Sequence, residues 1–284
     1  ELIIKSFNFL KNKVNYILIC NKKDIAKSVY FKRSNIKINE ILDPLNFTNY
    51  NRNNLNIFNI EDISKKKHIN LLNQIEISNN IANSTEFDLI TMPINKFVFK
   101  KKIKFIGMTE YLGSLNQLPT LMLMYGENFS IIPMTTHINI KNISKYINSK
   151  FINNFLKNIL NNIKKPQYSL NFKNIKFLCY NPHCGEKGTL GEEDIFIKNA
   201  LNKHGIIYGP YSGDSAFLKI EKNTLFLSTY HDQALIPFKI LNKKSINITL
   251  GLKYRRLSPA HGTAKEIKGK NQADNTSYLA CLLI

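Results

Sequence analysis

Four histidines stand where chemistry could be done. His137 follows Thr135-Thr136, His183 ends Asn181-Pro182-His183, His231 opens His231-Asp232-Gln233, and His261 precedes Gly262-Thr263. Each lies in a loop after a strand-like run or in a glycine-containing turn. Asp or Glu residues are close by in sequence. Neutral imidazole binds a divalent cation well, and a carboxylate or water can complete the shell. These residues are far apart along the chain, so local spacing leaves the metal site open. His68 and His204, in charged or helix-end contexts, read as surface residues. A second group is basic: Lys239, and Arg255 with Arg256 after the run at 247–252. A phosphate or carboxylate is recognised by a bidentate Arg together with Lys point charges. Solvated surface cations are the alternative reading. No Gly-x-Gly-x-x-Gly fingerprint and no Walker loop occurs, so a nucleotide would have to bind by other means. Cys184, beside His183, reads as a small residue in a tight loop rather than a reactive thiol.

The elements that must position these groups alternate between strand-like and helix-like runs, which argues for an α/β protein. Residues 14–20 read as a strand leading into a helix, and 87–92 as a buried strand. Residues 121–125 and 129–135 form a helix or strand and then a strand. Ile143, Ile147, Phe151, Phe155, Ile159 and Ile163 recur every four residues, predicting one helix over 143–165 that ends at Pro166. Strands at 175–180, 225–230 and 246–252 each run into a polar loop. A helix at 195–201 is closed by Gly205. Residues 35–84 are Asn-rich and weakly patterned. In open α/β sheets, the loops after the strand C-termini are where ligands bind.

At 284 residues and 43% hydrophobic, the chain can bury a sizeable core in one large or two ordinary domains. No run of about 18 uncharged apolar residues is present, so no membrane-spanning helix is expected. Glu1 in place of an initiator Met reads as a fragment at the start. The four cysteines form no Cys-x-x-Cys pair, which fits a reduced, cytoplasmic setting. A net charge of +20 raises nucleic-acid binding. The lysines, however, are spread among Asn and Ile along the whole chain, and no nucleic-acid motif accompanies them. The charge therefore reads as compositional drift, and the runs at 65–67 and 100–102 as solvated faces.

An ordered motif series then carries a resemblance. ITMPINK (90–96), GMTEYLG (107–113), MTTHI (134–138), NPHCGEKG (181–188), GEED (191–194), GPYSGDSAF (209–217), YHDQALIPFK (230–239), NITLGL (247–252) and HGTAKEIKGKNQAD (261–274) resemble the motifs of the 4-hydroxythreonine-4-phosphate dehydrogenase family, in the same order. The resemblance is strong over 85–280 and weaker over 1–84. It implies a homodimer with the site near the subunit interface. It also implies a two-domain fold related to isocitrate and isopropylmalate dehydrogenases, with the active site in the interdomain cleft. An outer, discontinuous domain would hold 1–105 and 240–284. A central domain over 106–239 would hold the dimer interface.

The implied reaction belongs to vitamin B6 biosynthesis. NAD oxidises 4-phosphohydroxy-L-threonine to a 3-oxo acid, which loses CO2; NADP is the alternative cofactor. The implied divalent metal (Zn, Mg or Co) is held by His137, His183 and His231. Substrate contacts fall on Thr109, Lys239, Asn247 and Arg256, with Met108 beside them. Asp214, Asp232 and Lys239 are the catalytic candidates; the two aspartates would support the metal or shuttle a proton. His261, Gly262, Thr263 and Asp274 are the cofactor candidates. Three departures stand out. Met108 replaces a substrate-contacting histidine, Ala260 replaces an Asp, and the glycine-rich opening motif has no counterpart. A weakened or repurposed relative is therefore one rival reading. A nucleic-acid-binding protein, with steeply salt-dependent affinity, is another.

Overall fold

In the computed structural model, which describes residues 1–99, 105–267 and 270–284, the chain divides into two units. One comprises Glu1–Phe105 with His261–Ile284, the other Ile106–Ala260. The lysine run at 100–102 lies outside the described residues, and Lys65, Lys66 and Lys67 are exposed.

The first unit holds a three-stranded parallel sheet in the order β1-β3-β2, from Leu18–Cys20, Ile38–Glu40 and Leu55–Asn59. Helices α1 (Leu2–Lys13), α2 (Lys22–Lys27), α3 (Val29–Lys32) and α4 (Lys67–Ser84), a short strand β4 (Leu89–Ile90) and α9 (Thr276–Leu283) complete it. Phe7 of α1 is buried with Leu55 and Ile57 of β3, and Leu18, Ile25 and Phe31 pack around them. In the weakly patterned 35–84 region, α4 buries Ile75, Ser78, Asn79 and Ala82. That is a helical face built partly from polar residues, which hydrophobic periodicity alone does not reveal.

The second unit positions the chemistry. Its strands are β5 (Leu121–Gly126), β6 (Ser130–Pro133), β7 (Asn174–Leu178), β8 (Ile207–Tyr211), β9 (Thr224–Ser228), β10 (Ser245–Leu250) and β11 (Arg256–Pro259). They run in the order β11-β10-β5-β6-β9-β7-β8. The first four are antiparallel neighbours, whereas β6, β9, β7 and β8 are mutually parallel. Helices α5 (Met108–Asn116), α6 (Ser149–Ile163), α7 (Glu193–Leu201) and α8 (His231–Leu241) accompany them. Met122, Met124, Phe129, Ile131, Phe226 and Phe238 form an apolar cluster on one side of the sheet. Full burial of each such side chain is worth roughly 1.5–3 kcal/mol.

Two expectations are corrected here. Residues 240–260 belong to the central unit, because β10 pairs with β5 from Ser245↔Gly126 to Leu250↔Leu121. The helix expected over 143–165 is broken. A 3-10 segment over Ile140–Tyr146 precedes α6, and the Asn148 side chain accepts the Phe151 N–H at 3.0 Å to start the new helix. Ile143 and Ile147 are still buried, so the apolar stripe was read correctly and the cap between its parts was missed.

Candidate active site

Because β6, β9, β7 and β8 are parallel neighbours, their C-terminal ends lie along one edge of the sheet. The chain leaves β6 toward His137, β9 toward His231, β7 toward His183 and β8 toward Asp214. Topology thus assembles at one edge groups that sequence spacing could not.

Two of the imidazoles meet. The His137 and His231 rings have centroids 6.0 Å apart. They line a cavity of about 150 Å³ with Thr136, Tyr230, Asp232 and an apolar wall of Ile138, Ile140 and Ile143. Each ring is held by a carboxylate. His137 Nδ1 lies 3.0 Å from Glu110 Oε1, and His231 Nδ1 lies 2.7 Å from Asp232 Oδ1. A carboxylate oxygen accepts, so the neutral tautomer that satisfies each contact has its proton on Nδ1 and its lone pair on Nε2. This arrangement suits a metal-ligating histidine.

Glu110 is anchored further. Burial would raise its carboxyl, but donation from His137, its own backbone N–H and Thr136 Oγ1 (2.8 Å) outweighs burial and holds it down at about 2. Its second oxygen, Oε2, is buried with no hydrogen-bond partner among the described residues. Gly107 makes room for it, since a Cβ there would strike Glu110 Oε2 and come within 2.9 Å of His137 Cε1.

His183 is exposed on a left-handed turn. Positive φ angles run through His183, Cys184, Gly185, Glu186 and Lys187. For the non-glycine residues this conformation costs roughly 1–2 kcal/mol each. Buried Asp194 pins the approach to the turn by accepting the Tyr180 and Asn181 N–H groups at 2.6 and 2.9 Å. Burial and the adjacent Cys179 thiol push Cys184 up to about 12, so it stays protonated, in keeping with a packing role. Asp214 is exposed. A hydroxyl bond from Ser212 (2.6 Å) is the main influence lowering its carboxyl, and nearby His183 adds to it. Among the described residues, no three His, Cys, Asp or Glu side chains are grouped so as to hold a metal ion.

The substrate candidates fall on β10, β11, α5 and α8. Thr249 Oγ1 lies 3.1 Å from Thr109 Oγ1 and accepts from Arg256 Nη1 at 3.0 Å. Arg256 is 4% exposed. Two residues earlier on β10, and so on the same face, Asn247 Oδ1 is buried without a hydrogen-bond partner among the described residues. Met108 opens α5 beside Thr109 and is half-buried. Lys239 is exposed in the last turn of α8 and pairs with no carboxylate among the described residues. His261, Gly262 and Thr263 are exposed and belong to the first unit, as does Asp274. Asp274 Oδ1 accepts the Thr276 N–H and hydroxyl (2.8 and 2.6 Å), which starts α9 and gives this aspartate a structural job.

Sequence reasoning missed Glu110 and Thr249. Polar residues alternating at Asn247 and Thr249 in a strand were a usable signal for Thr249. Glu110 had none beyond lying in the GMTEYLG motif.

With this geometry in place, likeness to known proteins becomes informative. The family model described as pyridoxal phosphate biosynthetic protein PdxA matches residues 12–284. The chain belongs to the PdxA family. A 4-hydroxythreonine-4-phosphate dehydrogenase from Hydrogenobaculum is 40% identical over 200 residues, covering 69% of this chain and 64% of that protein. One from Aquifex aeolicus is 32% identical, covering 99% and 92%. The crystal structure of the enzyme so named from Klebsiella pneumoniae superposes with a TM-score of 0.75 at 22% identity, covering 99% of this chain and 93% of that one. That likeness establishes the PdxA-type α/β fold.

Proposed function

We propose that this PdxA-family chain oxidises 4-phosphohydroxy-L-threonine with NAD, NADP being the alternative. The product, 2-amino-3-oxo-4-phosphooxybutanoate, loses CO2 to give 3-amino-2-oxopropyl phosphate, a step in vitamin B6 biosynthesis. The observation that carries this reading is the pair of carboxylate-held imidazoles, His137 and His231, facing one cavity.

Imidazole donors suit a divalent cation such as Zn or Co, and Mg, which prefers oxygen ligands, is the further candidate. His137, His183 and His231 would hold the cation. When bound, the ion would supply Lewis acidity toward the substrate hydroxyl, and the nicotinamide would supply a hydride acceptor. The chain's own residues do the rest. Glu110 and Asp232 keep the proton of each ring on Nδ1. Asp214, held ionised by Ser212, stands at the same sheet edge to take up a proton. Arg256, Thr109 and Asn247 orient the phosphate or carboxylate, with Lys239 as a further cation. His261, Gly262, Thr263 and Asp274 are assigned to the cofactor.

We assign a homodimer on the family resemblance; Leu218, Ile236 and Ile240 of the central unit are exposed. No helix among the described residues is long and apolar enough to cross a membrane. Free Cys20, Cys179, Cys184 and Cys281 suit a reducing cytoplasm.

The test is nicotinamide reduction with NAD and 4-phosphohydroxy-L-threonine, before and after chelation and metal add-back. Chelator-sensitive turnover, lost again in His183→Ala, supports both reaction and site. A folded, metal-loaded protein without turnover instead favours a repurposed relative, the reading that Met108 motivates.

A further inference from the structure

Gln233 occupies the third position of α8. A Gln there ordinarily reaches back to the N–H of the residue that caps the helix, here Tyr230. Gln233 does something else. Its Oε1 accepts both the N–H and the hydroxyl of Thr229, each at 2.9 Å, one residue before the cap. Its Nε2 crosses to the neighbouring strand and donates to the Cys179 carbonyl at 2.7 Å. The bonds continue on both sides. Thr135 donates its N–H (3.2 Å) and hydroxyl (2.8 Å) to the Thr229 carbonyl. Cys179 donates its N–H to the Tyr211 carbonyl at 2.9 Å. Gly213 packs beside the Gln233 amide, at a distance where a Cβ would be in ordinary contact with Nε2 (3.5 Å).

The series Thr135, Thr229, Gln233, Cys179, Tyr211 therefore links the C-terminal ends of β6, β9, β7 and β8 in their order across the sheet. Those ends lead to His137, His231, His183 and Asp214. Beyond the last paired residues of β7 and β9, Phe177 and Leu227, the link in this series is one side chain. We infer that Gln233 is a positioning residue, which sets the spacing of the His231 and His183 loops and so the geometry of cation binding. This rests on the metal-dependent reading above.

The test uses the full-length protein stripped of metal, as wild type, Gln233→Met and Gln233→Glu. Met fills the same space without hydrogen bonds. Glu keeps both Thr229 bonds but turns an oxygen toward the Cys179 carbonyl. Co2+ titration is followed by visible absorbance, and the histidine ring 1H–13C resonances are recorded without metal. Gln233→Met is expected to bind Co2+ about ten- to hundredfold more weakly, as for other residues that orient metal ligands. Its His183 and His231 resonances should move while those of His68 and His204 stay. Gln233→Glu should fall between Met and wild type.

A folded Gln233→Met with wild-type Co2+ affinity and unmoved rings overturns the inference and leaves the proposed function standing. Wild type that takes up no Co2+ removes the proposed metal instead, and the ring resonances alone then decide the role of Gln233. Should Gln233→Met not fold, Gln233→Glu and Gln233→Asn carry the same comparison.

Discussion

Glu110 and His137, 27 residues apart in sequence, are joined by a 3.0 Å contact between Oε1 and Nδ1. The carboxylate sits in the first turn of α5, where the helix dipole also favours negative charge. Its carboxyl is lowered from 4.5 to about 2 on folding. A depressed acid contributes stability that is present above its unfolded value and lost as pH falls through the folded one. Wild type should therefore lose thermal stability more steeply than Glu110→Gln between about pH 4.5 and pH 2. Parallel melting curves for the two proteins over that range would sink this account.

Gly107 should be intolerant of even one carbon. A methyl group there would displace Glu110 Oε2 and the His137 ring, with no backbone strain to confuse the outcome, because φ is −167°. Gly107→Ala is expected to cut kcat/KM by one to two orders of magnitude, roughly the cost of misplacing a reacting group by about 1 Å. Melting temperature should fall as well, because overpacking and the disturbed Glu110 contacts both cost stability. Wild-type kinetics in Gly107→Ala would show that the carboxylate-imidazole pair is not under tight positional control.

How much of this was legible in the sequence depends on the kind of signal. The α/β class, the apolar stripe of α6 and the loops carrying His137, His183 and His231 followed from periodicity and strand ends. The broken helix before α6 was not read, because Asn148 resembles its many Asn neighbours until its side chain is seen accepting the Phe151 N–H. The assignment of β10 to the central unit depends on pairing with β5, a contact between distant residues that no local pattern encodes. Gln233 and Thr249 act through bonds to groups on other strands, so their sequence neighbours give only residue type.

The left-handed turn that bears His183 should depend on Asp194. Asp194→Ala would leave the Tyr180 and Asn181 N–H groups without their acceptor. Leaving a buried donor unpaired costs about 1–3 kcal/mol. Urea unfolding is expected to register a loss of a few kcal/mol on that basis. Asp194→Asn, which retains an acceptor oxygen, should lose less. Equal stability of the two variants would mean that something other than these two bonds holds the turn.

Met108 offers a gain-of-function test. It stands at the opening of α5, next to Thr109, where the family has a histidine able to donate a hydrogen bond; a thioether cannot. Met108→His is expected to lower KM for the phosphorylated substrate severalfold, since one hydrogen bond to a charged group is worth about 1.5–3 kcal/mol at most. The KM for NAD should hold. An unchanged substrate KM would show that the pocket has adapted to Met108.

Arg256 is the strictest case, because its replacement can be made without losing charge. Its guanidinium is buried, and Nη1 donates to Thr249 Oγ1, the same oxygen that lies 3.1 Å from Thr109 Oγ1. A lysine ammonium is a point charge on a flexible stem and cannot reproduce a planar fork that binds Thr249 and, in the proposed role, an anion together. Arg256→Lys should therefore raise KM for the phosphorylated substrate by about tenfold or more, the equivalent of one charge-assisted bond. Cation binding at the histidines should not change, since neither partner of the Arg256–Thr249 bond touches them in the hydrogen bonds described above. Steady-state kinetics alongside Co2+ titration of the same preparation separates the two effects. A substrate KM within twofold of wild type would mean that charge alone suffices at this position, and would remove Arg256 from the anion-orienting role. A parallel loss of Co2+ affinity would instead mean that Arg256 supports the fold of the whole sheet edge.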